Sequence, residues 1–462
     1  MNGVLTLSYE LRRALGLFSC TMLVVGNMIG VGIFTTPGRI AVLLPTSGLV
    51  ILAWLLGAGL TIAGALSYAE LGASYPEAGG NYVFLRESYG PLWGFLYGWS
   101  AALITQSGTI AILAVGFTKY AGITSPVLVQ ACAIGLILFF GALNYIGVKV
   151  GAGVVNAITF LKIVAILGFA AAGVLWGHGH LANALPLWSV ERQASSATAS
   201  ALHASLFTGL AMALIPIMYT YSGWNATVYV GSEVLKPSRT IPLSLILGVL
   251  ITATLYLLLN AVYIYAVPVA QAKGVIAIAK EAAGAMFSPR IASSISFFIA
   301  FSVLGCLNAT LLTAPRISYA MAQSGYFFNP FGEVHPRFQT PHLSILLQMG
   351  WASLLAFWGG IDHKNFYRLL DDYVTVPSLL INALTVSAIF YLRRKKPDLP
   401  RPYKAWGYPV LPLCFILTVL WMVFHEVRQD AVAALAGIAM VAAGIPFYYY
   451  FRQRVKSNAI TN

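Results

Sequence analysis

Twelve long apolar segments, separated by short polar connections, constrain this chain more than any single motif. Their limits fall near 16–43, 48–73, 91–119, 127–147, 149–176, 203–233, 241–268, 287–322, 341–360, 366–392, 406–427 and 431–451. Each reaches the roughly 18–20 residues that a helix needs to cross the hydrocarbon core of a bilayer. Only 9% of the 462 residues are charged, whereas a soluble domain carries about 25%. Most side chains therefore never meet water. Lipid offers the backbone no hydrogen-bond partners, so the spanning segments must be helices. The expected fold class is an all-α membrane protein of 12 transmembrane helices. The stretch 270–285 is amphipathic and lysine-bearing, and is expected to lie along the outer surface. The first apolar segment has no small-residue cleavage site and is too long for a signal-peptide core, so it is expected to remain as a helix.

Charge sets the orientation. The net charge of +13 comes from 27 Lys and Arg against 14 Asp and Glu. In a soluble chain that excess would suggest nucleic acid. Here the basic residues sit mostly in short loops, as the positive-inside rule requires, and no nucleic-acid partner is expected. An even number of spans with the basic loops inside puts both termini in the cytoplasm. The expected location is the cell inner membrane, with the lipid bilayer as solvent. The run Arg393–Lys396 reads as a stop signal for the tenth span. The chain has no GxxxxGK[ST] motif and no soluble module that would bind a nucleotide. Cys20, Cys132, Cys306 and Cys414 lie in or beside apolar segments without CxxC spacing, and read as small core residues. No histidine pair has metal-ligand spacing, so no metal or other cofactor is expected. No His, Asp or Ser constellation of an enzyme is visible within the spans.

Two spans have broken middles. The first contains GNMIGVGIF at 26–34, with Gly26, Gly30 and Gly32 at mid-membrane depth. Each glycine costs a helix about 1 kcal/mol relative to alanine. Close packing of the small-xxx-small kind is one use for Gly26 and Gly30. Unwound backbone lining a cavity is the other. The sixth span contains PIMYTYSGWNATVYVGSEV at 216–234, interrupted by Pro216, Ser222, Gly223 and Asn225. Breaks in corresponding positions of two halves point to inverted repeats with a site at their interface. The repeats would be 16–176 and 203–392, with 406–451 as two added helices. A half-helix N terminus offers free N–H groups and a positive dipole end to a carboxylate, which makes Gly30, Val31 and Gly32 candidate donors. The opposite ends offer carbonyls to an ammonium: Asn27, Met28 and Ile29 from the first break, and Tyr219, Thr220, Ser222 and Gly223 from the sixth span. A zwitterionic amino acid fits such a pair of ends without a charged side chain.

GNMIGVGIFTTPG at 26–38 resembles the first-helix motif of the amino acid–polyamine–organocation (APC) transporter family. PEAGGNYVFLRESYGPLWGFLYGW at 76–99 and YSGWNATVYVGSEVLKPSRTIP at 221–242 resemble its third and sixth helices with their loops. RPYKAWGYPVLP at 401–412 is similar to the segment before helix 11 in the L-type amino acid transporter branch. The shared order and spacing extend from about residue 10 to 450. This resemblance implies a LeuT-like 5+5 inverted repeat and sodium-independent amino acid exchange or proton-coupled uptake. By position it implies that Gly30, Val31 and Gly32 bind the carboxylate, that the backbone of Tyr219, Thr220 and Ser222 binds the amino group, and that Tyr219 is an aromatic gate. The family usually carries serine between the two glycines. Val31 stands there instead, so only main-chain binding is left at that point.

Lys162 lies inside the fifth span, where an ammonium is costly and marks function by default. The resemblance implies that it replaces the sodium ion of related sodium-coupled transporters. Its role in coupling is either to carry a proton or to hold helix 1 by its carbonyls. Gln106, Ser107 and Thr109 in the third span, and Asn308 and Thr310 in the eighth, face either the substrate or a neighbouring helix. Glu70, Glu77 and Glu233 read as inner-gate ion pairs with loop arginines such as Arg86, and Asp371 and Asp372 as a charged outer face. Eukaryotic L-type relatives join a heavy subunit through a loop cysteine. The loop 120–126 has none, so no disulfide-linked partner is expected. The chain is expected to be a monomer or homo-oligomer that carries small neutral L-amino acids. Cationic amino acids or polyamines would call for an acidic residue in the pocket, and none lies mid-span. A nontransporting amino acid sensor on the same fold is the alternative from another class.

Overall fold

The computed structural model describes the backbone of residues 10–185, 187–188, 196–361 and 363–461, and the side chains of these apart from 196–205, 360–373 and 456–461. Among the described residues it contains helices and no strand, with two isolated bridges as the only extended pairing. The helices in chain order are α1 Leu17–Met28, α2 Gly32–Leu43, α3 Ser47–Ser74, α4 Asn81–Tyr89, α5 Pro91–Ser100, α6 Gln106–Tyr120, α7 Pro126–Tyr145, α8 Val148–Trp176, α9 Ser196–Thr220 and α10 Ala226–Tyr229. They continue with α11 Pro237–Ala266, α12 Val269–Ala272, α13 Ile278–Met286, α14 Pro289–Thr313, α15 Pro315–Gln323, α16 His342–Ile361, α17 His363–Lys395, α18 Val410–Gln429, α19 Ala431–Ala442 and α20 Ile445–Thr461. Among the described residues 9 helices are long and apolar enough to cross a membrane, or 10 when the bent pair α1 and α2 is taken as one span. The chain is a multi-pass membrane protein. α3 packs along α11, α6 along α14, and α7 along α16, while α1 lies between α11, α8 and α14.

The two expected breaks are present. α1 ends at Met28 and α2 begins at Gly32, with a bend of 43° between them. α9 ends at Thr220, and residues 221–225 form an irregular turn. Gly223 has φ of +92°, which a side chain would strain. The sixth segment was expected to run helical on both sides of its break. Instead its second half is one turn, α10, followed by a 3-10 turn at Gly231–Glu233. The stretch 270–285 also departs from expectation. It divides into α12 and α13, and Ile278, Ala279, Ala282, Ala283 and Met286 are buried against the bundle. Lys273 and Lys280 are exposed, and so is Ile276 between the two helices. Gly274 donates to Gly38 O at 3.0 Å, and a Cβ on Gly38 would come within 2.0 Å of Val275 O. The backbone of α2 and this segment are in direct contact.

The end of the bundle where the chain starts is tied together by backbone and ion pairs. Ala14 and Leu15 donate to Glu233 O, and Leu235 donates to Leu15 O. Gly79 donates to Tyr229 O at 3.0 Å. Glu233 faces Arg316, both fully buried, with contacts of 2.9 and 2.8 Å from Nε and Nη2. Glu70 takes two hydrogen bonds from Arg393, at 2.9 and 2.6 Å, and lies 3.6 Å from Arg401. Arg86 pairs with Glu77 and Glu87, and Lys396 with Glu87. The hydrogen bond to Glu87 raises the pKa of Lys396. Burial pushes Glu87 up, but Lys396 and Arg86 bring it below its ordinary value. Arg86 is thus the partner expected for Glu77, whereas Glu70 and Glu233 choose Arg393 and Arg316. Arg393 and Lys396 belong to this network and do more than stop a helix.

A buried pair is weak evidence of net stability, but removing one partner leaves an uncompensated charge. Arg316→Ala is expected to cost about 3–5 kcal/mol, read as a fall in melting temperature of the detergent-purified protein. The double variant Arg316→Leu/Glu233→Leu is expected to lose less than the single one.

Candidate functional site

The breaks leave helix-end carbonyls and amides inside the bundle, and the neighbouring helices satisfy most of the carbonyls. Lys162 on α8 is fully buried. Its Nζ donates to Ile29 O at 2.7 Å and Gly26 O at 3.2 Å. Ser302 on α14 adds a bond to Ile29 O at 3.2 Å. Tyr256 on α11 contacts both breaks through one hydroxyl, 2.7 Å from Met28 O and 3.0 Å from Thr220 O. Cys306 donates to Asn27 O at 3.1 Å, and Thr310 to Asn27 Oδ1 at 3.1 Å. The carbonyls of Met28, Ile29 and Thr220, expected to face an ammonium, are therefore taken by protein donors. Those three residues are buried.

The amides divide differently. Gly30 N donates to Met28 O at 2.9 Å, so it is not the free donor expected. The amides of Val31, Gly32 and Ile33 make no hydrogen bond among the described residues. They sit at the N terminus of α2. The glycines have separate reasons. Gly26 packs α1 on α8, where a Cβ would lie 2.3 Å from Thr159 Oγ1. At Gly32 a Cβ would meet Thr220 Oγ1 at 2.7 Å, and at Gly223 it would meet Asn27 at 3.0 Å. At Gly30 the nearest atom is Cys306 Sγ at 3.6 Å, an ordinary contact. Gly26 thus serves helix packing, and Gly32 and Gly223 the approach of one break to the other.

Two cavities meet at Tyr219. A cavity of about 490 Å³ opens toward the far end of the bundle and is lined by Val31, Gly32, Thr36, Arg39, Tyr219 and Glu426 among others. A central cavity of about 190 Å³ is lined by Asn27, Gln106, Thr109, Tyr219, Ser222 and Gly223. The expected site residues are thus divided between the two cavities, with only Tyr219 shared. Met28, Ile29, Gly30 and Thr220 line neither cavity. No Asp, Glu, Lys or Arg lines the central cavity among the described residues. One π-turn at Ala101–Thr105 precedes Gln106 and Thr109, an irregularity common at functional sites.

Other polar residues join helices. Gln348 donates to Ser107 at 2.6 Å, and Asn308 bridges Asn144 and Gly151 O. Asp371 and Asp372 have side chains outside the described residues. The sequence reading missed Tyr256, one of several hydroxyls in an otherwise apolar span. It also took Cys306 for plain core, although the thiol lines the central cavity. Trp224 is buried edge-on to Tyr68, and Asn225 donates to Tyr229, so both brace the broken sixth segment. All four cysteines are free, and Cys414 is exposed.

Comparison with known proteins agrees with this architecture. The family model described as "Amino acid permease" matches residues 15–445. The serine/threonine exchanger SteT of Bacillus subtilis is 28% identical over 97% of this chain and 98% of its own length. The human cystine/glutamate transporter is 28% identical over 96% of this chain and 86% of its own length. The human Asc-type amino acid transporter 1 is 26% identical over 95% of this chain and 82% of its own length. With two broken helices around an uncharged cavity, and a match along nearly all its length, the chain belongs to the amino acid permease family of APC transporters and is an amino acid transporter.

Proposed function

We propose that the chain exchanges small neutral L-amino acids across the cell inner membrane, without sodium, by alternating access around the two helix breaks. The observation that carries this reading is the uncharged central cavity between the breaks. An obligate cation such as arginine or a polyamine would leave its side-chain charge unpaired there, at a high cost in desolvation. Val31 and Gly32, on the larger cavity just across Tyr219, offer unused amides at a helix N terminus for the carboxylate of a cargo that spans the two cavities at Tyr219. Asn27, Ser222, Gly223 and the backbone of Tyr219 face the ammonium. Gln106 and Thr109 complete the wall. Tyr219, between the two cavities, is the gate. Lys162 takes the helix carbonyls that a sodium ion would otherwise coordinate, and so couples the position of α8 to that of the first break. Two relatives bear names that describe exchange or amino acid transport without restriction to cations, which supports the same reading.

The 5+5 arrangement is part of the proposal. Numbered as in the sequence, the second segment packs on the seventh, the third on the eighth and the fourth on the ninth. Each pairing is offset by five, as a two-fold relation between repeats 16–176 and 203–392 predicts. Segments 406–451 then stand outside the repeats as two added helices, giving twelve spans with both termini cytoplasmic. The tied end of the bundle is the inner one, and the larger cavity is the outer vestibule. The transporter works without a disulfide-linked subunit.

The deciding experiment is uptake of radiolabelled L-alanine, L-serine, L-leucine and L-arginine into sodium-free proteoliposomes, with and without internal amino acid, at two external pH values. Uptake of a neutral amino acid is expected, dependent on internal substrate and insensitive to pH. Uptake driven by a proton gradient alone would replace exchange with symport, arginine alone would overturn the cargo, and binding without flux would make the chain a sensor. Gly32→Leu is expected to abolish binding of the transported amino acid in a monodisperse preparation, because there is no room beside Thr220. Gly30→Ala is expected to keep it. Lys162→Ala removes a charge-assisted donor worth about 1.5–3 kcal/mol. It is expected to lower the initial exchange rate by about tenfold or more while the amount of protein in the membrane changes little.

A further inference from the structure

One part of the central cavity wall carries amides and hydroxyls: Asn81, Tyr97, Asn225, Tyr229 and Asn382. All five engage protein partners, Asn81 through its amide on the Tyr68 hydroxyl, but in Asn81 the acceptor is left over. Tyr97 and Tyr229 share a hydrogen bond of 2.8 Å, and Asn225 donates to Tyr229 at 3.1 Å. Asn382 Oδ1 accepts from Tyr68 at 3.1 Å. Asn81 differs. It opens α4, is 2% exposed, and its Oδ1 is buried with no donor. Among the described residues it alone both lines the central cavity and holds a buried side-chain polar atom without a partner. Its position is fixed by close packing. Gly80 before it has φ of +53°, and a Cβ there would come within 2.6 Å of the Tyr229 ring. Gly79 bonds to Tyr229 O. The start of α4 is held on the very residue that forms the next part of the cavity wall.

We infer that Asn81 reads the side chain of the cargo and favours amino acids bearing a hydroxyl or carboxamide over aliphatic ones of equal size. This rests on the proposed exchange of neutral amino acids and adds the basis of selection among them. A buried amide with an unmet hydrogen bond is a cost that a ligand group recovers on binding. A hydroxyl both donates and accepts, so it meets the carboxamide in either orientation of its oxygen and nitrogen. A methyl group in the same place leaves the amide unmet. Sites built to hydrogen-bond a substrate group reject the analogue lacking it far better than apolar pockets reject an added hydroxyl.

Threonine and valine have the same shape and differ in this one group. The test measures kcat/KM for each in proteoliposomes loaded with the competing amino acid, for the wild-type protein and for Asn81→Ala. The wild-type preference for threonine is expected to be about tenfold or more. In Asn81→Ala the ratio is expected to fall toward one. A wild-type ratio near one overturns the inference, as does an undiminished ratio in the variant. The wild-type ratio decides by itself if the variant is not recovered from the membrane. Equal exchange of both amino acids removes the role of Asn81 and leaves neutral exchange standing. Exchange of neither removes both.

Discussion

Everything at the centre of this bundle depends on how the helix-end carbonyls of two broken helices are satisfied away from water. A break in a spanning helix exposes backbone groups that lipid cannot solvate. Here an ammonium from α8 and a phenol from α11 supply the donors. Lys162 holds Gly26 and Ile29, and Tyr256 joins Met28 to Thr220. With those carbonyls met, side chains of the protein itself brace both breaks. The groups left over, chiefly the amides at the start of α2, are then the ones a ligand can meet. The site is defined as much by what the protein has already satisfied as by what it leaves free.

Much of this is legible in the sequence. Hydropathy gives most of the spans, 9 or 10 among the described residues against the twelve expected, and glycine and proline mark both breaks. The close approaches of Gly32 and Gly223 follow from their lack of side chains. The allocation of individual polar atoms is not legible, because it depends on which helix lies beside which. Nothing local to Tyr256 says that its hydroxyl reaches two breaks, 228 and 36 residues away. For the same reason Met28, Ile29 and Thr220 look like free carbonyl carriers in sequence and are fully engaged in space. The stretch after Gly223 looks helical by composition, but it is held in a short turn by its bonds to residues 14–15 and 78–79.

The ion pairs follow the same logic. Acids can be assigned to one end of the bundle from sequence, but their partners cannot. Glu70 and Arg393 are separated by 323 residues, and Glu233 and Arg316 by 83. The pairs also differ in surroundings. Glu77 is more than half exposed, whereas Glu233 and Arg316 see no solvent. Exposed pairs exchange readily with water and contribute little to stability. Those around Arg86 therefore part easily, and the buried one does not. The N-terminal segment, the turn after α10 and α15 are gathered around that buried pair.

The contact between Gly38 and the segment at 274–275 carries a mechanical meaning. It is made by backbone on both sides, with no flexible side chain between them to absorb strain. α2 is therefore not free to tilt alone. A shift of α2 is passed directly to the α12 and α13 segment, some 240 residues later in the chain. Val31 and Gly32 at the start of α2 and Gly274, Val275 and Ile276 of the later segment line the same cavity, so the wall of that cavity is one joined piece of backbone.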